Sequence, residues 1–438
     1  MKTTLLLIIV FIICNSRVRS QTSDFKPEIK FGSTIFTGWE FNSGNDNFIT
    51  SLDSSTANPN SAFGNDPTKH QFETSQNSFF LERAYLTMLG TLSQNIKARI
   101  TTDIYSLTDG TSKTQYQLGL KFAWVNWTAF KSDNGTALDL SAGIIPNQWI
   151  LLNDKYFGNR GLAKSLSDFQ WITSASKSAN SSSGTYSVSR SNSSYFSAAD
   201  LGANLTFSGP KGIGELYLNV FNGNGFRNIG FDNRFKDVEV LAFVHPLIKS
   251  ISARKKREGI SELTFGGFAY IGKLGLGENF TPGAAQYKRN RFGGMMNFKF
   301  AFAKAGSIKL GSEYSMLSNT DPTPSAPTTE LNVTSSGVSA FLEFNPPVES
   351  LSDKLFLIAR YDTFDPNTAN DAVSTIGFNN NTDNQTFMML GLAYKPSKIA
   401  TLGVSYQQLG YQLPYIVNYD GTTSKTDSKM IFHVMLDF

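Results

Sequence analysis

The sequence has one cysteine and three histidines among 438 residues. A single cysteine cannot form an intramolecular disulfide. His70, His245 and His433 stand far apart and lack the companion spacing of a metal-binding motif. No serine, histidine and aspartate set has the sequence context of a hydrolase nucleophile. We therefore expect no disulfide, no metal, no cofactor and no enzymatic activity.

Long apolar runs are also missing from most of the chain. Beyond the N-terminal stretch, no segment approaches the ~18 consecutive apolar residues typical of a transmembrane helix. That stretch, Leu5–Ile13, follows a basic residue and precedes small residues that suit cleavage before Gln21. We predict a signal peptide over 1–20 and a single exported domain over 21–438.

An excess of either charge is absent as well. The chain has 39 Lys and Arg residues against 35 Asp and Glu residues, and removal of the signal peptide would leave 36 against 35. A nucleic-acid-binding protein usually carries a clear basic excess. We therefore expect no nucleic acid as a partner, and any charge selectivity would depend on local placement.

Aromatic residues and alternating apolar segments are abundant. The chain contains 36 Phe and 16 Tyr residues. In Ile96–Ser106, apolar residues take every second position and polar residues the positions between, as in a half-buried strand. The last ten residues, KMIFHVMLDF, repeat the pattern. We interpret sixteen such segments as strands. In Tyr116–Trp124, the side chains of Phe122 and Trp124 are expected to point outward, and Trp124 is expected at a membrane interface.

The connections between these segments alternate in length. Seven are short turns, such as KSDNG at 131–135, and eight are long polar links, such as Ser318–Thr334. Outer-membrane barrels have this arrangement, with short periplasmic turns and long extracellular loops. Backbone polar groups in lipid must be paired within the protein, so the sheet has to close.

The sequence therefore predicts an all-β fold, a transmembrane antiparallel up-and-down β-barrel of about 16 strands. A soluble sandwich or propeller also uses short alternating strands. The chain has no blade-length repeat, and a soluble fold has no reason to sort its connections by length. The partner expected around the barrel is outer-membrane lipid.

A barrel of this size leaves an aqueous channel. The longest link, Asn147–Ala198, has an aromatic and charged first half and a Ser/Asn-rich second half. We predict that this third long loop folds into the lumen and carries Lys155, Arg160 and Lys164 toward the channel, while its second half forms a flexible solvated tip. A disordered external loop is the alternative.

Basic residues are also predicted on the inner wall. Lys97, Arg99 and Lys121 form the densest patch, on two neighbouring strands. The full set of wall candidates is Arg83, Lys97, Arg99, Lys121, Lys299, Lys309 and Arg360. A ring of such residues favours anions. The alternative is that each base pairs with an inward acid and only keeps the wall hydrated.

Six stretches resemble the phosphate-selective porin O/P family: FFLERAYLTMLGTL, IKARITTDIY, LKFAWVNW, LDLSAGIIPNQW, VFNGNGF and ARYDTFDPN. The resemblance is to distant members. It implies a Gram-negative outer-membrane porin, a homotrimer, with the third loop folded inward. In phosphate-specific members an arginine ladder and a lysine cluster line the anion path. Here Arg160 and Arg190 with the wall patch are too sparse for a ladder, and no residue is assigned as a phosphate ligand.

The sequence thus favours an outer-membrane porin for passive diffusion of small hydrophilic solutes and ions, with a weak preference for anions or phosphate. One alternative is a hydrophobic-substrate transporter, which needs an N-terminal segment that blocks the lumen. Another is a surface or adhesive protein in which the long Ser/Asn-rich loops act and the barrel is an anchor.

Overall fold

The computed structural model describes residues 25–42, 47–48, 51–53, 77–108, 114–169, 171–180, 185–193, 195–226, 235–247, 258–274, 287–302, 305–323, 326–366, 368, 384–412, 416–417, 423–424 and 426–438. The predicted signal peptide lies outside the described residues, as do Cys14 and His70. Within the described residues, no helix combines the length and the apolar composition that a membrane crossing requires.

Sixteen antiparallel strands form a closed barrel in which each strand pairs with the next and the last pairs with the first. The predicted fold class is confirmed. The strands are β1 (Glu28–Asn42), β2 (Asn77–Thr91), β3 (Ile96–Thr108), β4 (Thr114–Lys131), β5 (Ala137–Pro146), β6 (Ala199–Ser208), β7 (Gly214–Phe221), β8 (Asp237–Val244), β9 (Gly259–Leu274), β10 (Tyr287–Ala301), β11 (Ser307–Thr323), β12 (Ala326–Asn345), β13 (Leu355–Asp365), β14 (Gln385–Tyr394), β15 (Ala400–Tyr411) and β16 (Thr426–Asp437).

The barrel closes where β16 meets β1. The register runs from Thr34 opposite Asp437 to Asn42 opposite Lys429. At the turn end of the seam, the Ser33 N–H donates to the Phe438 carbonyl at 2.6 Å. The pairing satisfies the backbone of β16, and Met430 and Phe432 are exposed on its outer face, whereas Ile431 and His433 are buried.

Strand β8 shows how the two faces of the barrel differ. Val238, Val240 and Val244 are exposed, whereas the alternating residues from Asp237 to His245 are buried. Val240, in the middle of the strand, is 42% exposed. A continuous apolar outer face of this kind is suited to acyl chains.

A bulge at Lys121 reverses the predicted faces of the part of β4 that follows it. The register shifts so that Thr101 lies opposite Phe122 while Thr102 lies opposite Leu120, which leaves Lys121 as the extra residue. Phe122 is buried with the Arg99 guanidinium 4.7 Å from its ring centroid, and Trp124 lies opposite Arg99. The expectation that Phe122 and Trp124 point outward is wrong, because the inserted residue moves the side chains that follow it to the other face. A second register shift between Thr128 and Phe130 restores the alternation.

Two predicted loops are partly strand. The link predicted over Ser318–Thr334 is a paired extension of β11 and β12, with Thr323 opposite Ala326. In the third long loop, Trp171–Asn180 and Thr185–Ser193 pair as a hairpin where a flexible tip was expected, and Ser51–Asp53 adds a third strand. Their sequences lack apolar alternation, yet their backbones still pair.

The outer face yields a stability prediction. Val240→Arg places a charge at the centre of an outward face and should lower the free energy of unfolding from lipid vesicles by about 2–4 kcal/mol. Lys97→Arg, on the inner face, is the matched control and should change it little. Equal effects of the two variants in urea titrations would contradict the face assignment.

Candidate functional site

A helix occupies the first part of the third long loop. Helix α1 (Gln148–Phe157) begins at Asn147, whose side-chain oxygen accepts the Ile150 N–H at 3.1 Å. It ends at Gly158, whose φ of 74° suits a glycine cap. The Asn147 N–H donates to the Ala198 carbonyl at 3.0 Å. This bond joins the two ends of the loop at the barrel wall.

Trp149 anchors α1 to the inner wall. Its side chain is 0% exposed, and its ring centroid lies 4.4 Å from that of Phe268 on β9 and 5.9 Å from that of Phe243 on β8. Its indole N–H donates to Glu313 Oε1 on β11 at 2.9 Å, and the Ser167 hydroxyl donates to the same oxygen. These contacts confirm that the third long loop folds into the lumen.

Lys309 fixes the end of α1. Its ammonium group donates to the Phe157 carbonyl at 3.1 Å and lies 3.4 Å from Glu343 on β12. The Asn159 side-chain amide also donates to Glu343, at 2.5 Å. Lys309 is only 8% exposed. It therefore holds the loop in place and has little contact with solvent.

Arg360 holds the next part of the loop. It is 3% exposed, forms an ion pair with Asp362 on the same strand and donates to the Lys164 carbonyl. The Gln407 amide on β15 donates to the Leu162 carbonyl at 2.8 Å. Arg360, like Lys309, thus contacts the loop backbone while its charge is matched by a neighbouring acid.

Within the loop, Arg160 bridges two carboxylates. Its Nε lies 2.9 Å from Asp154 and its Nη2 lies 2.8 Å from Asp168. Burial raises the pKa of Asp154, which the arginine only partly offsets. Burial would also raise the pKa of Asp168, but Arg160, Lys164 and Arg83 together lower it below its ordinary value. Asp168 therefore stays ionised, and Arg160 crosslinks the loop to itself.

The wall formed by β2, β3 and β4 carries the basic patch. The Lys121 ammonium donates to the Tyr85 hydroxyl at 2.8 Å, and Arg83 lies 3.5 Å from Asp103. Arg99 Nε donates to the Thr101 hydroxyl at 2.9 Å. Among the described residues, no carboxylate forms an ion pair with Lys121, Arg99 or Lys97. Lys97 precedes Arg99 by two residues on the inner face of β3 and is exposed.

The predicted basic residues fall into separate groups. Arg83, Lys97, Arg99 and Lys121 share the β2–β4 wall. Lys299 on β10 lies opposite Lys309 on β11, on another side of the barrel. Lys155 is exposed near the end of α1, and Lys164 is half-buried. The predicted wall set is thus not a single ring, and Lys309, Arg360 and Arg160 are each paired with acids.

Several residues at the lumen were not predicted as site residues. Asp154 and Asp168 on the loop and Tyr85 on the wall contact predicted bases. Arg289 and Arg291 at the start of β10 line a cavity with the ends of the loop. Alternation offered a signal for Arg291, because the apolar residues Phe292, Met296 and Phe298 occupy the alternate positions of the same strand.

The two histidines in the described part of the chain have ordinary partners. His245 lies 2.7 Å from Glu215 and 3.0 Å from the Thr264 hydroxyl, and His433 lies 2.8 Å from the Ser405 hydroxyl. Among the described residues, no group of three or more His, Cys, Asp or Glu side chains is placed to hold a metal ion.

The Trp149 anchor gives a prediction. Glu313→Ala removes the acceptor of Trp149 and Ser167, and lost bonds to a charged group are worth about 1.5–3 kcal/mol each. Amide hydrogen exchange in α1 should therefore quicken by roughly tenfold or more. Glu349→Ala, at an exposed acid in the β12–β13 turn, is the control and should leave α1 unchanged. Unaltered exchange in the Glu313 variant would show that this contact does not hold the loop.

The solved structures with a similar fold include two bacterial proteins. The outer membrane channel DcaP of Acinetobacter baumannii is 12% identical with a TM-score of 0.51, covering 95% of this chain and 99% of that chain. OprB of Pseudomonas putida is 10% identical with a TM-score of 0.51, covering 94% of each chain. Comparisons with protein-family models and with curated proteins give no match. At such identities the likeness shows a shared closed-barrel fold and nothing further.

Proposed function

We propose that the protein is an outer-membrane porin through which small hydrophilic solutes and ions diffuse passively. The observation that carries this proposal is the closed sixteen-strand barrel with an inward loop fixed to one side of its lumen. A barrel of this size encloses a channel. The loop narrows it and selects by size and charge.

A weak preference for anions follows from the unpaired basic residues on the opposite wall. Lys97, Arg99 and Lys121 lie on β3 and β4, and none forms an ion pair with a carboxylate among the described residues. Lys97 is exposed, whereas Lys121 is 5% exposed. The facing loop acids, Asp154 and Asp168, are bridged by Arg160. The local charge at this wall is therefore positive, which concentrates anions. Phosphate, which the family resemblance suggests, is one such anion.

Single-channel recording tests the diffusion proposal. Purified protein in a planar bilayer should give large, ohmic, ion-permeable steps. A barrel that inserts but conducts no ions would contradict a porin. It would favour a barrel-anchored surface protein, for which the paired hairpin of the third loop would be the exposed part.

Charge selectivity has its own test. In a salt gradient, the reversal potential should indicate a modest anion preference, and Lys97→Glu with Arg99→Glu should shift it to cation preference, because the wall changes sign. Lys131→Glu with Lys211→Glu makes the same change in charge at the exposed turn end and is the matched control. If both double variants shift the potential equally, the wall patch does not set selectivity.

We further propose that the protein is a homotrimer in the outer membrane of a Gram-negative bacterium, as the family resemblance implies. The apolar outer faces of β1 to β16 are suited to lipid or to another barrel. The mass of the protein in mild detergent should be that of three chains. A monomer that conducts normally would contradict the proposed trimer but not the proposed channel.

A further inference from the structure

Two arginines meet at the long-loop end of the lumen. Arg289 and Arg291 stand two positions apart on β10 and both line a cavity of about 90 Å³. The cavity lies between the wall of β6, β7 and β9 and the two ends of the inward loop. It is separate from the basic patch on β2 to β4.

Both arginines have a buried N–H group without a partner. Arg289 donates to the Gly223 carbonyl at 2.7 Å through Nη2, but its Nε makes no hydrogen bond. Arg291 is 9% exposed and its Nε also makes no hydrogen bond. A buried donor without an acceptor is costly, and a buried charge without a counter-ion more so.

The nearest carboxylates do not neutralise this pair. Asp200 accepts the backbone N–H groups of Leu201, Gly223 and Gly225 at 2.7, 2.9 and 3.1 Å. Gly223 and Gly225 have φ values of 83° and 74°, which allow both amides to reach one carboxylate. Asp200 is therefore occupied by the turn that follows β7.

Asp237, the second carboxylate nearby, is also engaged elsewhere. It accepts the Tyr270 hydroxyl and the Lys273 N–H, the latter at 3.0 Å. Among the described residues, neither Arg289 nor Arg291 forms an ion pair with an acid. Two positive charges thus face one cavity, and the Asp200 carboxylate that also lines it forms no ion pair with either arginine.

Aromatic rings form the rest of the pocket. The Arg291 guanidinium lies 4.7 Å from the Tyr270 ring centroid and 5.1 Å from that of Phe196. Phe221 also lines the cavity and is 2% exposed. Stacking against rings fixes the orientation of a guanidinium and leaves its edge, where the N–H groups lie, for a ligand.

We propose that Arg289 and Arg291 form a binding site for a small monocarboxylate. The two guanidinium groups that line the cavity would donate to its oxygens, as arginine does to carboxylates, while the rings contact its short carbon chain. A dianion fits less well, because the Asp200 carboxylate lines the same cavity. The site adds a solute class to the proposed function. Binding of the carboxylate does not require a porin, but its passage through the channel rests on the proposed function.

Calorimetric titration of the purified, detergent-solubilised protein with propionate and with inorganic phosphate tests the site. Propionate should bind more tightly than phosphate. Arg291→Gln should weaken propionate binding by about tenfold or more, because a charge-assisted bond is lost. Arg291→Lys keeps the charge but loses the planar fork, and it should weaken binding as well. Lys288→Gln, at an exposed base on the same strand, is the matched control and should bind as the unchanged protein does.

Three results would overturn the proposal: no propionate binding by the unchanged protein, equal weakening in the Lys288 and Arg291 variants, or tighter binding of phosphate than of propionate. If Arg291→Gln does not fold, Arg289→Gln and Arg291→Lys serve in its place. Calorimetry does not depend on conduction. A conducting protein that binds no propionate therefore refutes this site alone, whereas a protein that binds propionate but conducts no ions refutes the proposed channel.

Discussion

The structure depends on the need to pair every backbone polar group in a strand that faces lipid. The seam between β1 and β16 meets this need, because each strand would otherwise present an open edge to hydrocarbon. Closure lets β16 present an apolar outer face while its backbone pairs with β1 and β15. It also fixes the two faces of all sixteen strands, so that every second side chain is outside and the others must fill or line the lumen.

The inner face divides into two kinds of surface. On β8 to β15, inward aromatic and paired charged residues such as Phe268, Glu313 and Arg360 bind the third long loop. On β2 to β4, the bases contact hydroxyl groups and rings, and among the described residues of this wall only Arg83 forms an ion pair with an acid. This division explains why basic residues that were all predicted on the inner wall have different roles. Lys309 and Arg360 pair with inward acids and also hold the loop backbone. The exposed Lys97 has no acid partner among the described residues, and its charge is available to solutes.

Much of the barrel could be predicted from the sequence because the lipid-facing side of each strand must be apolar at every second position. The bulge at Lys121 could not, since the aromatic residues that follow it suit either face. The hairpin extension of β11 and β12 was missed because its polar sequence shows no alternation. The inward packing of the aromatic first half of the loop was predicted, but its partners on the wall were not, because they depend on distant contacts such as that between Trp149 and Glu313, 164 positions apart. Inward bases were identified by alternation, but their partners were not.

The measurement that most directly tests the alternation of faces is lipid quenching along β8. Single cysteines from position 237 to 244, each labelled with an environment-sensitive fluorophore, would be reconstituted into vesicles that contain brominated lipid. Strong quenching is expected at positions 238, 240, 242 and 244, which face lipid, and weak quenching at 237, 239, 241 and 243, which face inward. Uniform quenching, or protection along the whole strand, would contradict a barrel whose outer face meets lipid.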